Sequence, residues 1–250
     1  MGGHALRLSL MPDRPHDFEA EEIYRHFAGK AGYYEDIELN KHDEHVIALN
    51  YLVSQLDYYD IHSVLDAGAG VGTDLLKLKA AKPGLKVTGC EPVAKMREVG
   101  HAKGLSREEL VDGNITALGF PDKSFDCVCE FAVLHHVKDH RKAVNEMLRV
   151  ARKAVFISDS NCFGTGSPVA RAVKQGAHAL GLWPLIDYLK SGGKRYYVSE
   201  GDGLFYSYST YFNYQQLRAA SKCVHVLNTK GTGTNPYRHA SHTAMLAILK

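Results

Sequence analysis

"VLDAGAGVGTD", residues 64–74, decides the fold. An apolar run that ends in an acid and then meets Gly68, Gly70 and Gly72 reads as a parallel strand turning sharply into a helix. A turn with so little side chain lets a ligand approach the backbone at the carboxyl edge of a sheet, beside the N-terminus of the next helix. A nicotinamide or flavin fingerprint G-x-G-x-x-G starting at Gly68 needs its third glycine at position 73, where Thr73 stands.

Outward from this turn, short β-branched runs alternate with helical patterns: "SVLDA" (63–67), "KVTGC" (86–90), "EELVD" (108–112), "FDCVCEF" (125–131) and "AVFISD" (154–159). That alternation predicts an α/β chain with a doubly wound, parallel sheet. Near the end, "CVHVLNT" (223–229) and "HTAMLAILK" (242–250) are joined by "KGTGTNPYRHAS", which has no room for a crossover helix and predicts an antiparallel pair. Upstream, Val46, Leu49, Val53 and Leu56 recur on one face of a helix that should pack on the core. "FEAEEIYRHFAGKAGYYEDIELNKH" predicts another helix and then an irregular turn, too polar for a core element and suited to a lid. The domain plan is a helical lid over 1–58 and a catalytic body over 59–250. Residues 160–222 far exceed an ordinary connection, so 161–215 is expected to be an insertion that contacts substrate.

Lys plus Arg number 30 against 28 Asp plus Glu, a balance that gives no footprint for nucleic acid. The five cysteines lack CxxC spacing, and no HExxH gathers the 14 histidines, so neither a disulfide framework nor a metal is expected. No run has signal-peptide or transmembrane length, which predicts a cytoplasmic protein with no membrane span, as a monomer or homodimer.

Asp66 completes D-x-G-x-G-x-G, Glu91 ends the second strand in "VTGCEP", and "VDGNITALGFPDKSFDCVCEFAVLHHV" (111–137) follows in order. With these three motifs in register, from about 60 to 160, the chain resembles the class I S-adenosylmethionine-dependent methyltransferases of small-molecule, LHH-containing type. The resemblance implies a Rossmann-like seven-stranded sheet, mostly parallel with an antiparallel last strand, an N-terminal helical lid and an insertion between strands 5 and 6. It places the methionine part of S-adenosylmethionine on Asp66, Gly68, Ala69 and Gly70, and the ribose on Glu91 with Pro92 beside it. Met96, Gly113, Asn114 and Ile115 fall around the adenine, with Asn114 where relatives commonly carry Asp. Tyr34, Glu130, Phe131 and His135 complete the expected cofactor shell. Gly119 replaces a common Pro, and "RVARKAVFIS" lacks the usual Pro-Gly-Gly turn.

A sulfonium methyl is already activated, so the protein must chiefly align the acceptor and exclude water. An oxygen acceptor also needs a base, for which His135 and His136 in "FAVLHHV" are the candidates, His135 ahead. His42, His45 and Asp159 stand behind them, and Tyr33 and Tyr34 are candidates to close over the cofactor. Tyr197, Tyr206 and Tyr208 in the aromatic-rich insertion are the expected substrate wall. The leading expectation is methyl transfer to a small molecule, at oxygen before nitrogen or carbon. A non-catalytic nucleoside-binding module and a nicotinamide-dependent oxidoreductase are the alternatives.

Overall fold

In a computed structural model of the chain, residues 18–35 and 43–250 are described, apart from the side chains at 34 and 35. The order is α1 (Phe18–Glu35), α2 (Glu44–Leu56), β1 (Ser63–Ala67), α3 (Thr73–Ala81), β2 (Lys86–Cys90), α4 (Ala94–Ala102), β3 (Leu110–Val111), β4 (Phe125–Phe131), α5 (His140–Val150) and β5 (Ala151–Ser160). Then come α6 (Pro168–Ala179), α7 (Trp183–Lys190), the hairpin β6 (Tyr197–Ser199) and β7 (Gly203–Phe205), α8 (Tyr214–Ala220), β8 (Ser221–Gly231), α9 (Pro236–His239) and β9 (Ala240–Leu249).

Seven strands form one sheet in the order β3-β2-β1-β4-β5-β9-β8. The pairs from β3 to β5 are parallel, while β9 runs antiparallel to both β5 and β8, as the loop between the last two runs requires. The chain leaves β1 toward β2 on one side, and β4 lies on the other, so a crevice opens at the carboxyl ends of β1 and β4.

Both faces of the sheet are covered. On one, Leu49, Leu52 and Leu56 of α2 pack with Leu75 and Leu78 of α3 against Cys127, Phe156 and Leu246. On the other, Val144, Met147 and Val150 of α5 join Leu217 of α8 against Val128, Val155 and Met245. Burying each such side chain fully contributes about 1.5–3 kcal/mol, which fixes the α2 face firmly.

Three local expectations are corrected. The buried stripe of α2 is Ala48, Leu49, Leu52 and Leu56, with Val46 and Val53 only partly covered, because the helix is rolled toward α3 and the sheet. The third strand shortens to Leu110–Val111 at the sheet edge. The apolar stretch near 169–190 is two helices, broken where Gly181 adopts a φ of +71°. Without a Pro-Gly-Gly turn, α5 runs directly into β5, and Arg149 ties the loop around Gly119 by donating to the carbonyls of Leu118 and Phe120. No helix among the described residues is long and apolar enough to cross a membrane.

Candidate active site

The crevice is a cavity of ≈ 600 Å³. Its floor is the turn after β1, where Gly68, Gly70 and Gly72 have φ of +95°, +55° and +74°. They are not equivalent. A Cβ on Gly72 would collide with Leu105 Cδ1 at 2.1 Å, so that glycine serves packing, whereas one on Gly70 would meet only Met96 Cε at 3.6 Å and otherwise project into the cavity. Gly70 is thus the position where backbone faces ligand space.

Three carboxylates surround this turn. Glu91 is buried, and its Oε2 accepts from the Gly70 N–H at 3.1 Å while Oε1 accepts from the Val93 N–H at 2.9 Å. Burial raises its pKa despite those two donors. Asp66 is buried with the Cys129 thiol 3.9 Å from its Oδ1, and burial together with the charges of Asp74 and Glu91 pushes its pKa well up. Asp74, the first-turn acid of α3, is also raised by burial, and its Oδ1 faces the Lys77 ammonium at 3.9 Å, beyond hydrogen-bond distance. A pocket end lined by Asp66, Asp74 and Glu91 is complementary to a cation. S-adenosylmethionine carries an ammonium and a sulfonium, and the residues present fit that group.

Ala69, Pro92, Met96, Ile115 and Phe131 line the same cavity, as expected. Other expected cofactor residues take different roles. Asn114 lines the cavity, but its Oδ1 already accepts from the Thr116 N–H and hydroxyl, and its Nδ2 donates to the Tyr24 hydroxyl at 3.0 Å. Gly113 lies against Cys90, where a Cβ would come within 2.9 Å, and does not line the cavity. Glu130 is fully buried and accepts from the backbone N–H groups of Val133 and Ser158, both at 2.9 Å, so it staples the loop after β4. The Tyr34 side chain and His42 lie outside the described residues, and Tyr33 is exposed.

The helix α1 roofs the cavity with Ala20, Ile23, Tyr24 and Phe27. Its grip is distributed: Tyr206 donates to Glu19 Oε2, Lys30 to the Glu200 carbonyl at 2.6 Å, and the Phe27 ring meets His136 edge-on at 5.0 Å. α2, by contrast, belongs to the sheet-packed core.

The segment after β4 carries the titratable pair. Ala132 takes an unusual φ of +56°, and Leu134–His136 form one 3₁₀ turn. His135 Nδ1 lies 2.7 Å from Asp159 Oδ1, and its backbone N–H donates to Asp159 Oδ2 at 3.1 Å. Burial lowers the His135 pKa, but the Asp159 charge and hydrogen bond outweigh it and leave the ring above its ordinary value. Burial raises Asp159 while His135 holds it down more strongly. With Nδ1 engaged, Nε2 is the ring nitrogen left for a substrate. His136 differs: burial and the neighbouring His135 push its pKa down to about 3, and its Nδ1 lies 2.8 Å from the Leu204 carbonyl, a tie to the insertion.

A second cavity of ≈ 430 Å³ adjoins the first and shares with it His45, Ala132, His135, Asp202 and Tyr206. Tyr197 and Tyr208 line it too, although the Tyr208 ring is buried and its hydroxyl donates to Asn213 at 2.9 Å, as the Tyr197 hydroxyl does to Asp187. Asp74, Tyr24 and Asp159's pairing with His135 are the contributors that sequence reasoning missed. Asp74 closes the stretch that opened the sequence reading, so its signal was in plain view.

The methyltransferase domain family model matches residues 65–157. The uncharacterized methyltransferase YcgJ of Bacillus subtilis is 38% identical over 98 residues, covering 37% of this chain and 37% of that protein. A ubiquinone/menaquinone biosynthesis C-methyltransferase of Hahella chejuensis is 40% identical over 97 residues, covering 36% and 39%. The chain thus spans well under half the length of these relatives. Among solved structures, magnesium protoporphyrin IX methyltransferase from Synechocystis PCC 6803 with bound SAH superposes with a TM-score of 0.58 at 18% identity, covering 94% of this chain and 100% of that one. That likeness is one of fold.

Proposed function

We propose that the chain, whose residues 65–157 match the methyltransferase domain family model, moves a methyl group from S-adenosylmethionine to a small-molecule acceptor, at an oxygen. One observation carries the choice of oxygen: a histidine set on a buried carboxylate, His135 on Asp159 at 2.7 Å, in the wall common to both cavities. When bound, the cofactor supplies an activated methyl group on a sulfonium and departs as a neutral thioether.

The chain's own residues do the rest. The Gly70 turn, Asp66, Asp74 and Glu91 would hold the cofactor by backbone approach and negative charge. Met96 and Ile115 would supply apolar contacts to it, and α1 with Tyr24 and Phe27 would exclude water. Neutral His135 accepts the acceptor's hydroxyl proton on Nε2, and Asp159 stabilises the imidazolium that results. The raised ring pKa makes that base strong but partly protonated near neutrality, so the rate rises with pH through an apparent pKa above the ordinary 6.5.

The Hahella relative is named for methylation at carbon. A histidine base serves there as well, by ionising a ring hydroxyl, so the product decides between the two. The test is incubation with isotopically labelled S-adenosylmethionine and a source-cell extract, followed by mass analysis of the labelled small molecules. An O-methyl ether supports the reading, and a C-methyl product moves it to carbon. Binding of S-adenosylhomocysteine with no labelled product in any fraction would sink the catalytic reading in favour of a binding module.

A further inference from the structure

The second cavity carries a charge that no reaction step requires. Lys174 of α6 lines it, half-buried, and its ammonium donates to the carbonyls of Cys162 and Thr165 and to the Thr165 hydroxyl. All three of its donors therefore end on neutral oxygens. The charges that act on it include two further cations, Lys190 and Arg171, and the ionisable group that would oppose them, the Cys162 thiol, is pushed up to about 12 by burial and stays neutral. Lys190 of α7 lines the same cavity and sits 5.5 Å from the Tyr197 ring centroid. Among the described residues, no carboxylate lies within 4.0 Å of either ammonium.

The acids of the cavity are placed otherwise. Glu44 pairs with Lys230 at 2.8 Å, Asp202 lies in the wall shared with the first cavity, and behind the lining Asp159 is satisfied by His135 and Asp187 by the Tyr197 hydroxyl. The cavity is thus polar in a directed sense, with Lys174 and Lys190 lining it alone and His135 and Asp202 in the wall it shares with the first cavity. Trp183, Tyr197, Phe205 and Tyr206 form aromatic walls between them. A half-buried cation without a counter-ion is costly alone, and an anionic ligand would offset that cost.

We infer that the second cavity is the acceptor's seat and takes a flat aromatic anion, its anionic group at Lys174 and Lys190 and its opposite end at His135. The inference rests on the methyl-transfer reading above for its acceptor role, and on the cavity's own walls for its ligand chemistry.

The chain has a single tryptophan, and Trp183 lines this cavity, so its fluorescence reports occupancy without turnover. The probes are anilinonaphthalene sulfonate and its uncharged parent, phenylnaphthylamine, titrated into the full chain while Trp183 quenching is followed. The sulfonate is expected to bind at least about tenfold more tightly than the parent. Lys190→Met, at an exposed side chain, should cut that preference to about threefold or less, and Lys174→Met with Lys190→Met should abolish it. Equal affinity for the two probes, absence of quenching, or a preference that Lys190→Met leaves intact would overturn the inference. Calorimetry with S-adenosylhomocysteine on the same samples separates the two readings. Binding there with no probe preference defeats this inference alone, whereas probe preference without that binding defeats the methyltransferase reading and leaves the anion site standing.

Discussion

Replacing Asp159 by Asn removes one charge and one acceptor oxygen beneath His135. In the wild type, Oδ1 meets the His135 Nδ1 at 2.7 Å and also accepts from the Ser160 N–H, while Oδ2 accepts from the His135 N–H at 3.1 Å. An asparagine offers one oxygen, so an amide NH₂ must face a donor on one side. One unsatisfied buried donor costs about 1–3 kcal/mol, and stranding a buried charge about 3–5 kcal/mol. His135 escapes the larger cost by releasing its proton. The expected destabilisation is therefore about 1–3 kcal/mol, a midpoint lower by roughly 2–12 °C. The pH dependence has a definite sign. The Asp159 carboxyl is held below its ordinary 3.8, so its contribution is present above that pH and lost on acidification. The His135 ring is held above its ordinary 6.5, so its contribution is complete below that pH and lost as pH rises through the folded value. Urea denaturation at roughly pH 6 and pH 9 should show the wider gap between wild type and variant at the lower pH. A gap equal at both would refute the pairing as described.

Gly70→Arg places a long cation in ligand space at a left-handed backbone position; the variant should stay folded, at a cost of about 1–2 kcal/mol, and lose S-adenosylhomocysteine binding by calorimetry, with unchanged affinity as the contrary result. Asp74→Asn relieves a carboxylate that burial disfavours and gives up its ion pair with Lys77, so stability should stay within about 1 kcal/mol of wild type while the preference for the cationic cofactor over the neutral-sulfur product falls; a constant ratio of the two affinities would separate Asp74 from the sulfonium. Tyr206→Phe deletes a hydroxyl bonded to Glu19 and should weaken S-adenosylhomocysteine by about 1 kcal/mol, near fivefold, through a looser α1, while an identical dissociation constant would show that this contact does not hold the roof. His136→Ala should leave the pH limb of the rate in place, since that ring is neutral across the working range with its pKa at about 3, whereas a displaced limb would make it part of the proton transfer.

The sheet was legible because each strand announces itself locally: β1, β2, β4 and β5 are β-branched runs bounded by turn residues, and their burial on both faces follows from helices packed on each side. The floor of the first cavity was legible for a related reason, since the turn after β1, Glu91 and Met96 follow one another closely along the chain. What escaped depends on contacts distant in sequence. Asn114 was assigned to a ligand, but Tyr24, ninety positions away, takes its amide. Glu130 stands beside the site in sequence yet turns to the Ser158 N–H of the neighbouring strand, a direction that only strand pairing sets. Tyr208 counted as one aromatic among many, and its partner Asn213 draws its ring into the core. His135 gained its advantage over His136 from Asp159 at the end of β5, a distinction that adjacent letters in a motif do not contain.

The helix α1 bonds through Tyr24 to Asn114 in the first cavity and through Glu19 to Tyr206, which lines both. One rigid part thus has a foot in each chamber. A ligand in one chamber that tightens these bonds steadies the helix for the other chamber as well. The two affinities are then raised by the same factor, whichever ligand comes first. A chain built in this way holds two ligands together more readily than either alone.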